Sequence, residues 1–459
     1  MSCIISAPAT DNGKTTLALL ISCWAFTKGL KLQTFKVGPD YLDQQQLSSI
    51  GHPVCRNLDV FLSGENWIKK TYRKYSTLSD LSLVEGAMGL FDGLGSTQYS
   101  STADVARILD LPIVFIVNAK GQVASLLALI KGFREFDKNL NFKGVIFNNV
   151  NSSRHKTLLK EVFKNEGIKI LGFLPSNMKI YLEKGNLGLI SPKEIRKILD
   201  INYFAAFAEK NLNMKCLASL LKPIKNDLSS TTLNFPFKIN EKKPIAIADD
   251  RIFHFQYPDT VEFLNDIGIP TIKWNIFNDE EIPKEAKALI IPGGFPERYA
   301  SHISSSKRSL KSLREFRNLG LIYAECGGMM ILGDFIIDER GTPHKMAGIL
   351  PFTSKKGNLS VGYRYIKGKK DSLIIKKNQE ARGHEFHYWQ IEVTKNIRNK
   401  LGKDLIIPPT SPWQIKSWGN KFKDEGWHSG NVHASWVHIH FPSSKELSKN
   451  FINNLLKSN

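Results

Sequence analysis

Two blocks of alternating strand-like and helix-like text run through this chain, and no other feature restricts its fold as strongly. In the first half, CIISA, LSLVEG, PIVFIVNA, GVIFNNV and IKILGFLP are short, β-branched and bounded by polar residues or Gly/Pro breaks. Amphipathic stretches such as TTLALLISCWAFTKG and SLLALIKGFREF lie between or beside them. Strands that alternate with helices need crossover connections, which are right-handed and produce a parallel sheet. Between 221 and 243 the text LKPIKNDLSSTTLNFPFKINEKK is polar, carries two prolines and has no clear period, so it reads as a linker. A second alternation follows: PIAIADD, TIKWNIF, ALIIPGG and LIYAECGG as strands, VEFLNDIG and SLKSLREFRNLG as helices. Residues 345–441 are richer in strand-like and turn-like text and end in ASWVHIHF. The expected architecture is α/β: two doubly wound domains, 1–220 and 244–459, joined by the 221–243 linker.

Composition narrows the class. The chain has 459 residues, 42% hydrophobic and 23% charged, a globular profile that excludes a disordered or collagen-like chain. Its five cysteines stand at 3, 23, 55, 216 and 326 with no CxxC pair, which fits neither a disulfide framework nor a zinc ribbon and suits a reducing compartment. No apolar run reaches the roughly 18–20 residues a membrane span needs. The opening MSCIISAPATDNGKTT lacks a signal-peptide pattern. A cytoplasmic protein with no membrane partner is expected. The formal charge of +20 raises three readings: a codon-composition bias, a field that draws in an acidic small molecule, and a nucleic-acid footprint. The lysines are spread along the chain with no basic run interleaved with aromatics. The three therefore rank in that order, and no nucleic-acid partner is expected.

APATDNGKTT at 7–16 follows a strand and opens a helix, the setting a phosphate-binding loop requires. Backbone N–H groups of Asn12, Gly13 and Thr16 and the helix N-terminus would face phosphates. Lys14 would contact the β/γ-phosphates and Thr15 would hold Mg²⁺. Pro8 replaces the first glycine of the usual pattern, and Asp11 puts a negative charge nearby. KVGPDYLD at 36–43 and LSLVEGAMGLFDG at 81–93 add Lys36, Asp40, Asp43 and Glu85 at strand ends, where ligands of open parallel sheets collect. Asp40 and Glu85 would complete a hard-oxygen Mg²⁺ shell with Thr15. Each acid alone is more often a solvated loop residue or a helix cap; together with Lys14 they form a constellation.

LIYAECGGMMIL at 321–332 reads as a strand, a sharp Gly-containing turn and an apolar helix start, with Cys326 at the apex of a nucleophile elbow. The helix dipole would favour its thiolate. Gly327 and Gly328 would let substrate approach, with N–H groups near an oxyanion, and Gly293 and Gly294 in ALIIPGGFPERY supply a second pair at a strand end. A cysteine nucleophile needs a base. ASWVHIHF offers His438 and His440, two apart and so on one face of a strand; GHEFHYW offers His384 and His387. A lone histidine is more often a satisfied core or surface residue.

GKTT, KVGPDYLD, RNLD, VEGAMGLFDG, STADVARILDLP, GGFPERY, AECGGMM, GHEFHY and ASWVHIHF, in this order over nearly the whole chain, resemble the cobyrinic acid a,c-diamide synthase family. These are glutamine-dependent amidotransferases of corrinoid biosynthesis. The first half looks like the dethiobiotin-synthetase group of P-loop enzymes, the second like a class I glutamine amidotransferase. The resemblance implies that Cys326 attacks the glutamine carboxamide while His438 supplies acid–base catalysis, with Gly293, Gly294 and Gly327 at the oxyanion. It implies that the first half uses ATP and Mg²⁺ to phosphorylate a and c acetate carboxylates of a cobyrinate-like tetrapyrrole, which ammonia then converts to amides. Lys36, Arg56 and Asn57 would meet the polycarboxylate, and Asn148 would read the nucleotide base. A homodimer is compatible with this reading. The sequence departs from the family pattern at Gln44, Leu47, Asn118 and Asn186, and His440 stands where most class I enzymes carry a glutamate. Hydrogenobyrinate or a nickel tetrapyrrole are alternative substrates, and a P-loop switch ATPase on DNA or membrane, or a free-standing thiol hydrolase, are alternative classes.

Overall fold

Strands that are apolar on both faces can be covered only by helices on both sides of a parallel sheet, and the first half of the chain follows that rule. The computed structural model describes residues 2–176, 192–224, 238–239, 241–393 and 410–457. The chain divides into two compact units, Met1–Asn234 and Phe235–Asn459. Most of the linker stretch and Asn186 lie outside the described residues.

The first unit holds a seven-stranded parallel sheet. Its strands are β1 (Cys3–Ser6), β2 (Leu32–Val37), β3 (Arg56–Leu58), β4 (Leu81–Glu85), β5 (Ile113–Asn118), β6 (Phe142–Asn148) and β7 (Ile170–Leu174). Their spatial order is β3-β2-β4-β1-β5-β6-β7. Every residue of β1, β2 and β4 is buried, including the polar Gln33, Thr34 and Lys36. Two apolar cores flank the sheet. One packs Leu17, Leu20 and Ile21 of helix α1 (Lys14–Thr27) against Ile5, Leu83 and Val114. The other packs Phe115, Val117 and Phe147 with Leu126, Leu159 and Phe163 on the opposite face. Because β1 lies between β4 and β5, the chain reverses direction across the sheet there, and the loops leaving the carboxyl ends open a crevice.

In the second unit a six-stranded sheet runs β10-β8-β11-β13-β21-β20, with β8 (Ile245–Ala248), β10 (Thr271–Trp274), β11 (Ala288–Ile291), β13 (Leu321–Glu325), β20 (Trp427–Ser429) and β21 (Val432–Ser435). All neighbours are parallel except β20 with β21. Two short strands, β9 (Phe253–Phe255) and β12 (Gly293–Gly294), pair antiparallel beside it. A further sheet is built on the long antiparallel pair β16 (Phe352–Gly368) and β17 (Glu380–Val393), whose register shifts between Lys356 and Ser360. That pair is what the strand-like text of 345–441 encodes. The chain leaves β21 at Trp436, so His438 and His440 do not lie on a regular strand; His438 makes only an isolated bridge with His384. Among the described residues no helix is long and apolar enough to cross a membrane.

Candidate active sites

In the first unit, the loop between β1 and α1 is held from two sides. Asn12 Oδ1 accepts from the Asn118 amide (2.9 Å), and Asn148 Nδ2 donates to the Asn12 carbonyl (3.0 Å). Gly13 sits at φ 104°, where an added Cβ would fall 2.5 Å from Asn148 Nδ2, so both conformation and space demand glycine. Asn12 and Asn148 therefore fix the loop to the ends of β5 and β6. The helix starts at Lys14, whose buried ammonium donates to the carbonyls of Ala9 (3.0 Å) and Met88 (2.5 Å). Burial, and then the charge of Lys36, pull its pKa down to about 8. Met88 holds φ 49°, a strained conformation for a non-glycine residue, and its side chain is exposed.

Thr15 Oγ1 donates to Glu85 Oε1 (2.6 Å) at the end of β4. Lys36 Nζ lies between Asp43 Oδ2 (2.6 Å) and Glu85 Oε1 (2.9 Å), and also donates to the Gly86 carbonyl (3.2 Å). Burial alone would lower the Lys36 pKa, but the Asp43 and Glu85 carboxylates push it above its ordinary value. Burial raises Glu85 to about 7. Asp40 caps helix α2 (Tyr41–Ser48): its Oδ1 accepts from the amides of Leu42 (2.9 Å) and Asp43 (3.0 Å). Asp43, two positions into that helix, is the carboxylate that reaches Lys36, a role that sequence spacing alone did not single out.

A cavity of about 620 Å³ is lined by Gly13, Lys14, Thr15, Thr16, Lys36, Asp40, Asp43, Met88 and Asn148, while Asn12 and the fully buried Glu85 lie outside this lining. Arg56 and Asn57 are buried but are not among its lining residues. Arg56 lies 3.4 Å above the Tyr75 ring, and Asn57 Nδ2 donates to the carbonyls of Gly38 (2.8 Å) and Asp40 (3.1 Å), supporting the wall behind Lys36. Among the described residues no cluster of three His, Cys, Asp or Glu is arranged as a metal site. A Mg²⁺ that arrives with a nucleotide needs only one or two protein oxygens, because water and phosphate fill the rest of its octahedron. The residues fit that demand. Glu85 Oε2 is fully buried and has no hydrogen-bond partner among the described residues, and the Thr15 hydroxyl touches the other oxygen of the same carboxylate.

In the second unit, β13 ends at Glu325 and the chain turns sharply at Cys326, with φ 49° and ψ −114°. The strain is that of a nucleophile elbow. The Cys326 amide donates to the Ser435 carbonyl (2.6 Å), fixing the turn to β21. The following helix, Gly327–Met330, is one turn long, so its dipole supports the thiolate far less than the sequence pattern suggests. His438 is buried, and its imidazole interacts electrostatically with Cys326. Burial alone would lower its pKa, but Cys326 and then Glu325 raise it to about 10. Gly293 passes so close that an added Cβ would strike His438 Cε1, and a Cβ on Gly327 would lie 2.6 Å from the Gly294 carbonyl. The three predicted glycines thus meet at the elbow.

The remaining histidines separate. His440 faces elsewhere: its Nδ1 pairs with Ser443 Oγ (2.8 Å) and its ring meets the edge of Tyr257. His384 bridges the His438 backbone, and burial, with the charge of His438, drops it to about 3. His387 Nδ1 donates to the Trp389 carbonyl (2.6 Å) while the ring stacks on Trp436 at 4.0 Å. Between them, the Phe386 carbonyl lies 3.8 Å from Cys326 Sγ. The partner that sequence reasoning missed is Glu325. Its Oε2 lies 3.3 Å from His438 Nδ1 and its Oε1 accepts from Tyr323 Oη (2.5 Å) and the Ile439 amide (3.2 Å). The only signal in the sequence was its place beside Cys326.

Comparison with known proteins follows the same division. Residues 3–186 match a family described as the CobQ/CobB/MinD/ParA nucleotide binding domain, and residues 244–446 one described as a CobB/CobQ-like glutamine amidotransferase domain. The chain is 34% identical over 98% of its length to a cobyrinate a,c-diamide synthase of Synechococcus, of which the match covers 98%. It is 32% identical to the protein of that name from Gloeobacter violaceus (99% of this chain, 97% of the relative). It is 33% identical to that from Caldanaerobacter subterraneus (98% and 97%).

Proposed function

Since this chain belongs to the cobyrinate a,c-diamide synthase family, we propose that it converts the a and c acetate carboxylates of cobyrinate to amides, with ATP and glutamine as co-substrates. It is an ATP-dependent carbon–nitrogen ligase with glutamine as amido donor. The observation that carries the nitrogen half is the buried Cys326–His438 pair at a strained strand–helix turn. Cys326 Sγ attacks the glutamine side-chain carbonyl, and the tetrahedral oxyanion forms against the glycine-rich turns at 293–294 and 327. His438 gives its proton to the departing nitrogen, so ammonia leaves and a γ-glutamyl thioester remains. A water then attacks the thioester, its proton passes to His438, and glutamate is released.

A carboxylate is a poor electrophile because its charge is delocalised and it has no leaving group. In the first unit the substrate carboxylate oxygen attacks the γ-phosphorus of ATP, ADP departs, and an acyl phosphate forms. Ammonia adds to its carbonyl and phosphate leaves with the C–O bond, giving the amide. Lys14 is buried in a cavity of suitable size, and its pull toward about pKa 8 reflects an ammonium short of compensating charge, which a triphosphate supplies. Bound Mg²⁺ neutralises charge on the transferring phosphoryl group, and Thr15 and Glu85 would hold it; Asp40 contributes by fixing the start of α2, beside Asp43. Lys36, already placed among carboxylates, would meet the phosphoryl or substrate carboxylate; Arg56 and Asn57 would act from behind the cavity wall, and Asn148 beside the nucleotide.

The test is an assay of purified protein with ATP, Mg²⁺, glutamine and, separately, cobyrinate, hydrogenobyrinate and a nickel tetrapyrrole, following loss of one negative charge per amidation. Two successive charge losses on cobyrinate are expected. Turnover only on another macrocycle, or none, would overturn the substrate assignment.

A further inference from the structure

We propose that Glu325 is a positioning residue that orients His438 for its proton transfers with Cys326, filling the role that His440 leaves vacant. The proposal rests on the glutaminase reading above and assigns the group on which that chemistry depends. Residues two apart on a strand share a face, so Tyr323 and Glu325 both point from β13 toward the His438 segment. The two carboxylate oxygens divide their tasks. Oε1 is anchored by Tyr323 Oη at 2.5 Å and the Ile439 amide at 3.2 Å, and Oε2 is thereby aimed at His438 Nδ1 at 3.3 Å. With its Nδ1 proton directed at Glu325, the imidazole is held in the tautomer that leaves Nε2 to exchange a proton with sulfur. One strand thus supplies both the nucleophile's support and the base's orienter, since Cys326 is the next residue and its φ of 49° turns it away from Glu325. His440 cannot substitute: its Nδ1 is engaged by Ser443 and its ring packs on Tyr257.

The experiment uses the full chain and compares glutamine hydrolysis with ammonia-supported synthesis. Glu325→Gln should lower kcat for glutamine hydrolysis by about 10²-fold or more, the range of a lost acid–base contribution, with KM for glutamine little changed and ammonia-supported synthesis kept. Glu325→Asp, which keeps the charge on a shorter stem, should recover part of kcat. Independently of turnover, a far-downfield Nδ1–H proton signal assigned to His438 should be present in the wild type and absent in Glu325→Gln. Unchanged kcat in Glu325→Gln, or a fall confined to KM and melting temperature, or survival of the downfield signal, would overturn the proposal. A wild-type protein that hydrolyses no glutamine would instead sink the glutaminase reading itself.

Discussion

Lys14 and His440 show how burial sets the behaviour of single charged groups. The Lys14 ammonium satisfies itself on two carbonyls while its pKa is pulled to about 8. Lys14→Ala is expected to abolish amidation from glutamine and from ammonia alike while glutamine hydrolysis persists; retained synthesis from ammonia would remove Lys14 from phosphoryl transfer. Glu85→Gln should weaken Mg²⁺ dependence, raising the Mg²⁺ concentration at half-maximal rate, and an unchanged titration would argue against its ligand role. His440 is held neutral, with burial lowering its pKa from about 6.5 to about 4. In the window between those values the unfolded chain binds a proton the folded chain refuses. The stability tied to a neutral His440 is therefore complete above about pH 6.5 and is lost as pH falls toward about 4, at up to about 1.4 kcal/mol per pH unit. His440→Asn should flatten the acid side of the second unit's stability–pH curve relative to wild type, as measured by urea melts at several pH values. Parallel curves would show that the imidazole carries no such linkage.

At the scale of elements, the readable part of the fold is the part where local pattern and burial agree. CIISA, LSLVEG and PIVFIVNA are buried on both faces and became central parallel strands, because a fully apolar run has no alternative in an α/β layer. GKTT and AECGG were legible as strand–turn–helix junctions because their glycines are demanded by close approach. ASWVHIHF misled on one point: the strand ends at Ser435, so His438 and His440 do not share a face. Alternation predicts direction only while backbone pairing lasts. The role of Glu325 and the pairing of Asp43 with Lys36 were hidden for another reason, since these contacts form through tertiary packing and not through a motif. Packing of Gly293 against the His438 ring makes a further prediction. Gly293→Ala should reduce glutamine hydrolysis sharply and cost about 1–3 kcal/mol of stability through overpacking, read by kcat and thermal melts; a fully active, equally stable variant would contradict the close approach.

The whole molecule carries a formal charge of +20, and the proposed substrate, with its many carboxylates, would give that charge a use beyond codon bias. Steering by a positive field weakens with ionic strength, so KM for the tetrapyrrole should rise with salt while KM for zwitterionic glutamine stays nearly flat; equal salt sensitivity would return the charge to composition alone. On the proposed reading two chemistries are joined in one chain, each with its own buried site: a thiol–imidazole pair would free nitrogen and a phosphate cavity would activate a carboxylate. Cys326→Ser separates them most directly when amidation is measured with glutamine and then with added ammonium. Loss of the first with retention of the second is the predicted result. Failure of ammonium to restore amidation, or persistence of glutamine-supported amidation, would contradict the division of labour.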